Sequence, residues 1–431
     1  MLNVVGSDKV IEGRAVSGWK LLTTRNFGLL FSGQLVSQIG DGMNKVALLW
    51  FVYELTGSAF KMTLIGLLQT IPPLIFGPLI GVYLDRMKKK PVLIWVDLIR
   101  TVLVMLIPLL YAMEALTLER LYVLVFATSI VSTIFGPALA SAVPLLVQRS
   151  QLTAANALIQ STTNFGLLIG PVVSGVGIAM IGAQNVLYFD AVTFLVSALF
   201  LMPIRLQETL YARVRSADRP TILQDLLVGF RFVFLQQRTV LLLMLTATLF
   251  SFGASAFIFL LPVFAAQHLD AGPVELGWLW SSLGIGMLAA SVWLAWIKQG
   301  DLQNRLRLIA AALAVGAVAV CTLGMLEAPL MAAALIIVFG GSTAVFTPIV
   351  WAMLQELTPE PLLGRVFTTF STGAMASAMA GMAGFGWATD VLGPSASLVG
   401  IGLLLLSTAA VAAAFSRRQP SKTVAPDFMP A

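Results

Sequence analysis

Apolar runs of about twenty residues, separated by short polar loops, recur from one end of the chain to the other. A helix of that length crosses the hydrocarbon core of a bilayer, so the pattern predicts twelve membrane spans. The first six are expected at residues 27–55, 60–83, 91–113, 121–147, 155–181 and 185–204. The second six are expected at residues 239–264, 274–297, 306–326, 329–355, 363–389 and 395–415.

The composition agrees with a membrane protein. The 431 residues are 58% hydrophobic and 11% charged, whereas soluble domains carry about 25% charged residues. The formal net charge is +6, but the basic residues are dispersed over short loops and form no stripe, which argues against a nucleic-acid partner. Cys321 is the single cysteine, so an internal disulfide or a cysteine metal site is excluded.

Lys and Arg are distributed very unequally across the predicted membrane. Twenty-two of the 26 lie in loops on one side, called the basic side below. Lys61 and Arg120 lie on the opposite side, while Lys45 and Arg100 lie within spans. Cytoplasmic loops carry such an excess, and the residues before Arg25 lack the apolar core of a signal peptide. We therefore expect a multi-pass protein of the bacterial inner membrane with both termini in the cytoplasm.

One long polar connection divides the chain into halves. The predicted organisation is a cytoplasmic segment (1–26), a six-helix bundle (27–204), a cytoplasmic linker with an amphipathic helix at 222–234 (205–238), a second six-helix bundle (239–415) and a cytoplasmic tail (416–431). The sequence at 132–137 is echoed at 342–348, which suggests that the halves are related. The predicted fold is an all-α membrane protein of two pseudo-symmetric bundles, an arrangement typical of transporters.

Ionisable residues inside spans are costly and therefore candidates for function. Asp41 and Lys45 are four residues apart in the first span and share a helix face. Asp41 either exchanges a proton as its surroundings change between wet and dry, or forms a fixed ion pair with Lys45. Asp97 and Arg100 are spaced for a pair in the third span, and Asp190 lies in the sixth. The sequence contains no Gly-x-x-x-x-Gly-Lys-Ser/Thr phosphate loop, so an ion gradient is the expected energy source.

A glycine-containing loop and a basic cluster join the second and third spans. They resemble the signature loop of the major facilitator superfamily, Gly-x-x-x-Asp-Arg-x-Gly-Arg-Arg, although Lys88 replaces its second glycine. The resemblance implies a gate on the cytoplasmic side, to which we also assign the two charges of the third span. The expected gate residues are Gly81, Asp85, Arg86, Lys89, Lys90, Asp97 and Arg100.

Small residues recur in the fifth span. Gly166, Gly170, Pro171 and Gly175 resemble the antiporter motif of proton-coupled exporters in that superfamily, and the alternative is ordinary packing of small residues. Further segments resemble the branch that contains macrolide efflux pumps and the enterobactin exporter, namely residues 39–42, 97–100, 153–156 and 364–367. The intramembrane arginine that many proton antiporters carry in the fourth span is missing, because Arg120 only begins that span. Arg100 is a candidate substitute.

The resemblance implies a secondary active exporter of amphipathic small molecules, such as a drug, macrolide or siderophore. It would work by proton antiport and alternating access, with Asp41 and Lys45 at the coupling site and with no enzymatic activity, cofactor or metal. Membrane lipid is the other expected partner, and the protein is expected to be a monomer. The alternatives are an uptake symporter or a lipid flippase, and then a non-transporting membrane sensor. The residues expected to line the substrate cavity are Gln34, Gln38, Asn44, Trp50, Asn164, Phe165 and Trp351.

Overall fold

The structure, a computed structural model, describes residues 19–84, 87–148, 151–206, 238–297, 301–358 and 363–418. Within these ranges the chain forms helices and short connections and no β-strand. The amphipathic helix predicted at 222–234 and most of the terminal segments lie outside the described residues.

Twelve long helices make up the described chain. Those of the first half are α1 (Arg25–Thr56), α2 (Ala59–Leu84), α3 (Lys89–Ala112), α4 (Leu118–Ala142), α5 (Leu152–Ile181) and α6 (Ala183–Leu201). Those of the second half are α7 (Arg238–Gln267), α8 (Pro273–Trp296), α9 (Leu302–Leu323), α10 (Pro329–Leu357), α11 (Leu363–Leu392) and α12 (Pro394–Arg418). A helical turn at Trp19–Leu22 precedes α1, and a 3-10 turn at Val143–Leu145 follows α4.

The helices are long and apolar enough for a multi-pass membrane protein. Ten of the twelve combine the length and hydropathy of a membrane span. The exceptions are α1, which carries several polar and charged side chains near its middle, and α11, which is rich in small residues. Both are long enough to cross the bilayer, at 32 and 30 residues. Helix α1 faces protein and a polar cavity over much of its length, and α11 packs against α2 and α7.

Helix packing within the two halves is equivalent. In the first half α1 packs on α5 and α6, α3 packs on α4 and α6, and α2 packs on α4. In the second half α7 packs on α11 and α12, α9 packs on α10 and α12, and α8 packs on α10. Between the halves, α5 packs on α8 and α2 packs on α11. Exchanging the halves converts each of these contacts into another, which confirms the predicted pair of pseudo-symmetric bundles.

The halves are joined toward the side opposite to the basic one. At the interface of α5 and α8, the Ser281 hydroxyl donates to the Leu168 carbonyl oxygen at 2.6 Å. Gly175 lies against the backbone of Pro273 at the start of α8. At the interface of α2 and α11, Gly386 lies against the side chain of Thr63. Among the described residues, the hydrogen bonds identified between the halves are the Ser281–Leu168 bond and those that the Asp390 carboxylate accepts.

Asp390 makes the most concentrated of these contacts. It lies near the end of α11, and its carboxylate accepts the Ser58 hydroxyl at 2.5 Å, the Ala59 amide at 2.6 Å and the Phe60 amide at 3.1 Å. The amides at the start of a helix have no partner within that helix and carry a partial positive charge. One carboxylate of the second half therefore caps α2 of the first half.

We predict that Asp390→Ala favours separation of the halves on this side, because the exposed α2 amides lose a charged acceptor. These hydrogen bonds are partly exposed to solvent, so we expect their loss to cost about 1 kcal/mol. That free energy changes the ratio of joined to separated halves on this side about fivefold. Spin labels at Leu55 and Val391, which are both exposed and belong to different halves, measure the change as an increased population of long distances.

Glu327→Ala is the control, since Glu327 is an exposed carboxylate in a loop of the second half on the same side. It should leave the distance distribution unchanged. If Asp390→Ala also leaves it unchanged, the cap does not hold the halves together.

Candidate functional site

A cavity of about 380 Å³ lies within the first half, at the depth of the middle of the helices. Its walls come from α1, α2, α3, α4 and α6, and Phe259 of α7 closes it from the second half. Charged side chains line it in unusual number for a membrane interior: Asp41, Lys45, Arg100 and Asp190. The uncharged polar lining residues are Asn44, Gln69, Thr70, Thr128, Ser129, Ser132 and Thr133.

An ion pair joins α1 to α3 on the wall of this cavity. Arg100 Nη2 lies 2.6 Å from Asp41 Oδ1, and Arg100 Nη1 lies 3.7 Å from Asp97 Oδ1. The Asp41 side chain is 35% exposed, while those of Arg100 and Asp97 are 8% and 0% exposed. Gln38 also donates its amide to Asp41 Oδ2 at 3.3 Å. Asp41 is therefore the acidic group of this trio that the cavity reaches most directly.

The Arg100 guanidinium is held on a second side by aromatic rings. Its Cζ atom lies 3.7 Å from the centroid of the Phe194 ring and 5.8 Å from that of Phe135. A guanidinium over a ring face gains electrostatic stabilisation while it remains shielded from solvent. The two rings and the two carboxylates together fix the position of Arg100 against α1, α4 and α6.

A third carboxylate approaches from α6. Asn44 donates its side-chain amide to Asp190 Oδ2 at 2.6 Å. The other oxygen of Asp190 faces Gly40, where a Cβ atom would stand 2.7 Å away. Glycine at this position lets α6 bring its buried carboxylate against the face of α1 that carries Asp41. Three carboxylates and one guanidinium thus lie on adjoining surfaces of α1, α3 and α6.

Lys45 turns away from Asp41 and toward the second half. Its Nζ atom lies 5.0 Å from the ring centroid of Trp280 on α8 and 5.6 Å from that of Phe259 on α7. The fixed Asp41–Lys45 ion pair, one of the two interpretations of their spacing, is thus replaced by an Asp41–Arg100 pair. The i, i+4 spacing places both groups on one face, but it gives no information about partners on other helices.

The small residues of α5 bring three helices into close contact. Gly166 and Gly170 lie against the backbone of α1 around Gln38 and Gly42. On the other side of α5, Pro171 and Gly175 lie against Gly277 of α8. The Ser174 hydroxyl donates to the Met43 carbonyl oxygen at 2.9 Å, which fastens α5 to α1 beside the charged residues. Helix α5 therefore connects the helix that carries Asp41 directly to the other half of the protein.

The residues predicted to line one substrate cavity lie in different environments in the structure. Asn44 lines the cavity of the first half. Gln34 is 2% exposed and Trp50 packs against the core, so neither lies on the wall of this cavity, and their role in substrate binding stays a prediction. Asn164 and Phe165 are exposed on α5, outside the lining of that cavity.

Trp351 lines a second cavity, of about 280 Å³, between α7, α10 and α11 of the second half. Its ring centroid lies 4.9 Å from that of Phe367 and 6.1 Å from that of Phe370. Phe250 and Phe346, whose ring centroids are 4.2 Å apart, form another wall. Ser251, Thr347 and Ser371 are the polar lining residues, and the lining contains no ionisable side chain.

Sequence reasoning missed the polar wall of the first cavity. Thr128, Ser129, Ser132 and Thr133 lie on one side of α4, and the Ser129 hydroxyl donates to the Gln69 carbonyl oxygen of α2 at 2.9 Å. The sequence did contain a signal for this wall, because hydroxyl side chains recur three and four residues apart in an otherwise apolar helix.

The profile of the transmembrane secretion effectors matches residues 16–428, nearly the whole chain. The chain belongs to this family of major facilitator transporters. Macrolide efflux protein A of Streptococcus pyogenes is 26% identical over 363 residues, which are 84% of this chain and 87% of that protein. The multidrug efflux pump Tap of Mycolicibacterium fortuitum is 26% identical over 391 residues, which are 89% of this chain and 94% of that protein. The protein is therefore a multi-pass transporter of an efflux family and not an enzyme.

Solved structures show the same fold. A bacterial homologue of the human lysosomal transporter Spinster, in an inward-facing and unoccupied conformation, matches with a TM-score of 0.71 and 13% identity, over 94% of this chain and 98% of that one. An inward-facing bacterial homologue of the iron transporter ferroportin matches with a TM-score of 0.69 and 14% identity, over 91% of this chain and 98% of that one.

The signature loop of this major facilitator chain is described only in part. Gly81 lies within α2, while Asp85 and Arg86 lie outside the described residues. Lys89 Nζ donates to the Leu84 carbonyl oxygen and, at 3.0 Å, to that of Met87. Lys90 Nζ donates to the Met202 carbonyl oxygen at 2.6 Å. These contacts of the two lysines remain within the first half, and the gating role of the loop remains a prediction.

We predict that Gly166→Ala destabilises the packing of α5 on α1, because the added Cβ would overlap the Gln38 backbone. Inserting a methyl group into a packed site costs about 1–3 kcal/mol. The thermal unfolding temperature of the purified transporter should fall by several degrees, as followed by tryptophan fluorescence.

Gly136→Ala is the matched control, because a Cβ at Gly136 of α4 meets no atom within 4 Å. It should unfold at the temperature of the unmodified protein or above it. Equal unfolding temperatures for both variants would show that α5 and α1 can move apart at little cost.

Proposed function

We propose that this protein is a secondary active exporter that moves amphipathic small molecules out of a bacterial cell in exchange for protons, by alternating access. The observation that carries the proposal is the group of charged residues around Asp41 on the wall of the cavity. Ionisable residues at this depth are costly to keep and mark substrate or proton pathways in membrane transporters. The efflux relatives support the direction of transport.

The charge balance of the cluster supports a proton as the coupling ion. Asp41, Asp97 and Asp190 are three acidic groups, and Arg100 and Lys45 are two basic ones. With every group ionised, the cluster carries one net negative charge inside the membrane. Binding one proton makes it neutral, which is the state that a low-dielectric surrounding favours. The cluster therefore has two charge states, one with the proton bound and one without it.

Asp41 is the group we assign to proton exchange, because it is the most exposed member of the Asp41–Arg100–Asp97 trio. When Asp41 takes a proton, Arg100 loses its closest partner and is left with Asp97. Gly42, adjacent to Asp41, lies against Gly166 of α5, and α5 contacts the second half through Gly277. A change at Asp41 is thereby transmitted to the surface on which the halves rock.

The two cavities fit an amphipathic substrate. The cavity of the first half offers carboxylates, amides and hydroxyls, whereas that of the second half offers aromatic rings and no ionisable group. A molecule with a polar end and an apolar end is matched by both surfaces. We also propose that the basic side is cytoplasmic and that the protein lies in the inner membrane. The basic side is then the side from which an exporter takes its substrate.

The test is transport by purified protein in liposomes with an imposed proton gradient. The compounds are macrolides, fluorescent cationic dyes and catecholate siderophores. We predict gradient-driven movement of at least one compound by the unmodified protein, and a fall to the level of protein-free liposomes for Asp41→Asn. Gradient-independent exchange of labelled for unlabelled compound should persist in Asp41→Asn, since that exchange requires no proton.

Asp270→Asn is the matched control. Asp270 is exposed in the loop before α8, far along the chain from the cluster, and its positive φ of 47° is a conformation that asparagine tolerates. It should transport as the unmodified protein does. Full gradient-driven transport by Asp41→Asn would exclude Asp41 as the coupling residue, and accumulation with the proton instead of against it would indicate a symporter.

A further inference from the structure

A groove of about 540 Å³ lies on the surface of the second half, between α9 and α12. These two helices pack against each other, and their other main contacts are with helices of their own half. Apolar side chains beside the groove are exposed, including Val315 at 54% and Leu403 at 56%. In a membrane protein such a surface faces lipid, so the groove is open to the bilayer and is separate from the two cavities between the helices.

The floor of the groove is made of small side chains. Six of its lining residues are alanines, three from each helix: Ala310, Ala311, Ala314, Ala409, Ala410 and Ala413. On each helix they recur one turn apart, so they form one face. Alanine leaves a depression along two helices that are otherwise covered by larger apolar residues. The shape of the groove therefore suits a narrow, elongated and apolar group.

Two arginines stand at one end of the groove. Arg307 belongs to the second turn of α9, and Arg417 lies at the end of α12, so both are near the basic side of the membrane. Arg305, on the same helix as Arg307, forms an ion pair with Glu356 at 2.7 Å. Over the described part of the chain, neither Arg307 nor Arg417 has a carboxylate within ion-pair distance. The end of the groove is thus positively charged.

The length of the groove matches one leaflet of a bilayer. It extends from Arg307 to Ala314 along α9 and from Arg417 to Leu406 along α12. At 1.5 Å per residue these stretches correspond to about 10 and 16 Å. Half of a hydrocarbon core of about 30 Å is about 15 Å. An acyl chain lying on the alanines would run from the headgroup level to the middle of the membrane.

We propose that this groove binds one anionic phospholipid from the leaflet on the basic side. Its phosphate is held by Arg307 and Arg417, and one of its acyl chains lies on the alanine floor. Arginine pairs bind phosphate through several charge-assisted hydrogen bonds, and basic pockets between helices are recognised lipid-headgroup sites. The proposal is independent of what the protein transports.

A second copy of the chain is the competing occupant, since small residues four apart also favour contact between helices. A symmetric contact through this groove would bring two pairs of arginines together. Like charges at the edge of a low-dielectric region repel, which favours a phosphate over a second groove.

The experiment is native mass spectrometry of delipidated protein with added phosphatidylglycerol or with phosphatidylcholine of the same acyl chains. We expect one phosphatidylglycerol to bind more tightly than phosphatidylcholine. The double variant Arg307→Gln with Arg417→Gln should weaken phosphatidylglycerol binding about tenfold or more. Arg305→Gln removes the same charge from α9 outside the groove and should bind as the unmodified protein does.

A second variant tests the floor. Ala310→Leu with Ala410→Leu keeps both arginines and fills the groove, and it should weaken phosphatidylglycerol binding as well. Soluble glycerol phosphate should not compete with the lipid, because it lacks the acyl chain. Equal binding of the two lipids, unchanged binding by the arginine variant, or a dimer mass that the floor variant abolishes would each overturn the proposal.

Discussion

A charge inside a membrane must find its partners within the protein, and in this transporter the ion pair of Asp41 and Arg100 meets that requirement. It joins α1 to α3 at the middle of the first bundle. Phe194 of α6 covers the guanidinium, and Asp190 of the same helix approaches through Asn44. The relative positions of three helices are therefore set by the need to satisfy one group of polar side chains, and a cavity remains where they meet.

The same arrangement explains why glycine is required beside the charges. Gly40 makes room for the carboxylate of α6, and Gly42 allows α5 to lie directly on α1. On its other face α5 contacts α8 at Gly277. A single helix thus links the helix that carries Asp41 to the interface of α5 and α8. The symmetric interface of α2 and α11 includes the Asp390 cap on the start of α2.

The fold was accessible from the sequence because membrane spans are read from long apolar runs. Local spacing also identified the charged candidates. It did not identify their partners, since the contacts of Asp41 with Arg100 and of Lys45 with Trp280 join distant parts of the chain. Nor did it show burial: Gln34 is an amide in an apolar helix that suggested a cavity wall, and packing of neighbouring helices buries it in this structure.

The unequal chemistry of the two cavities has an evolutionary consequence. The ionisable residues that line them belong to the first half, whereas the cavity around Trp351 is aromatic and contains none. If the proposed function holds, substitutions around Trp351 would alter the shape and size of the molecules accepted without disturbing the ion pair. Recognition could then change one side chain at a time while the coupling site is preserved.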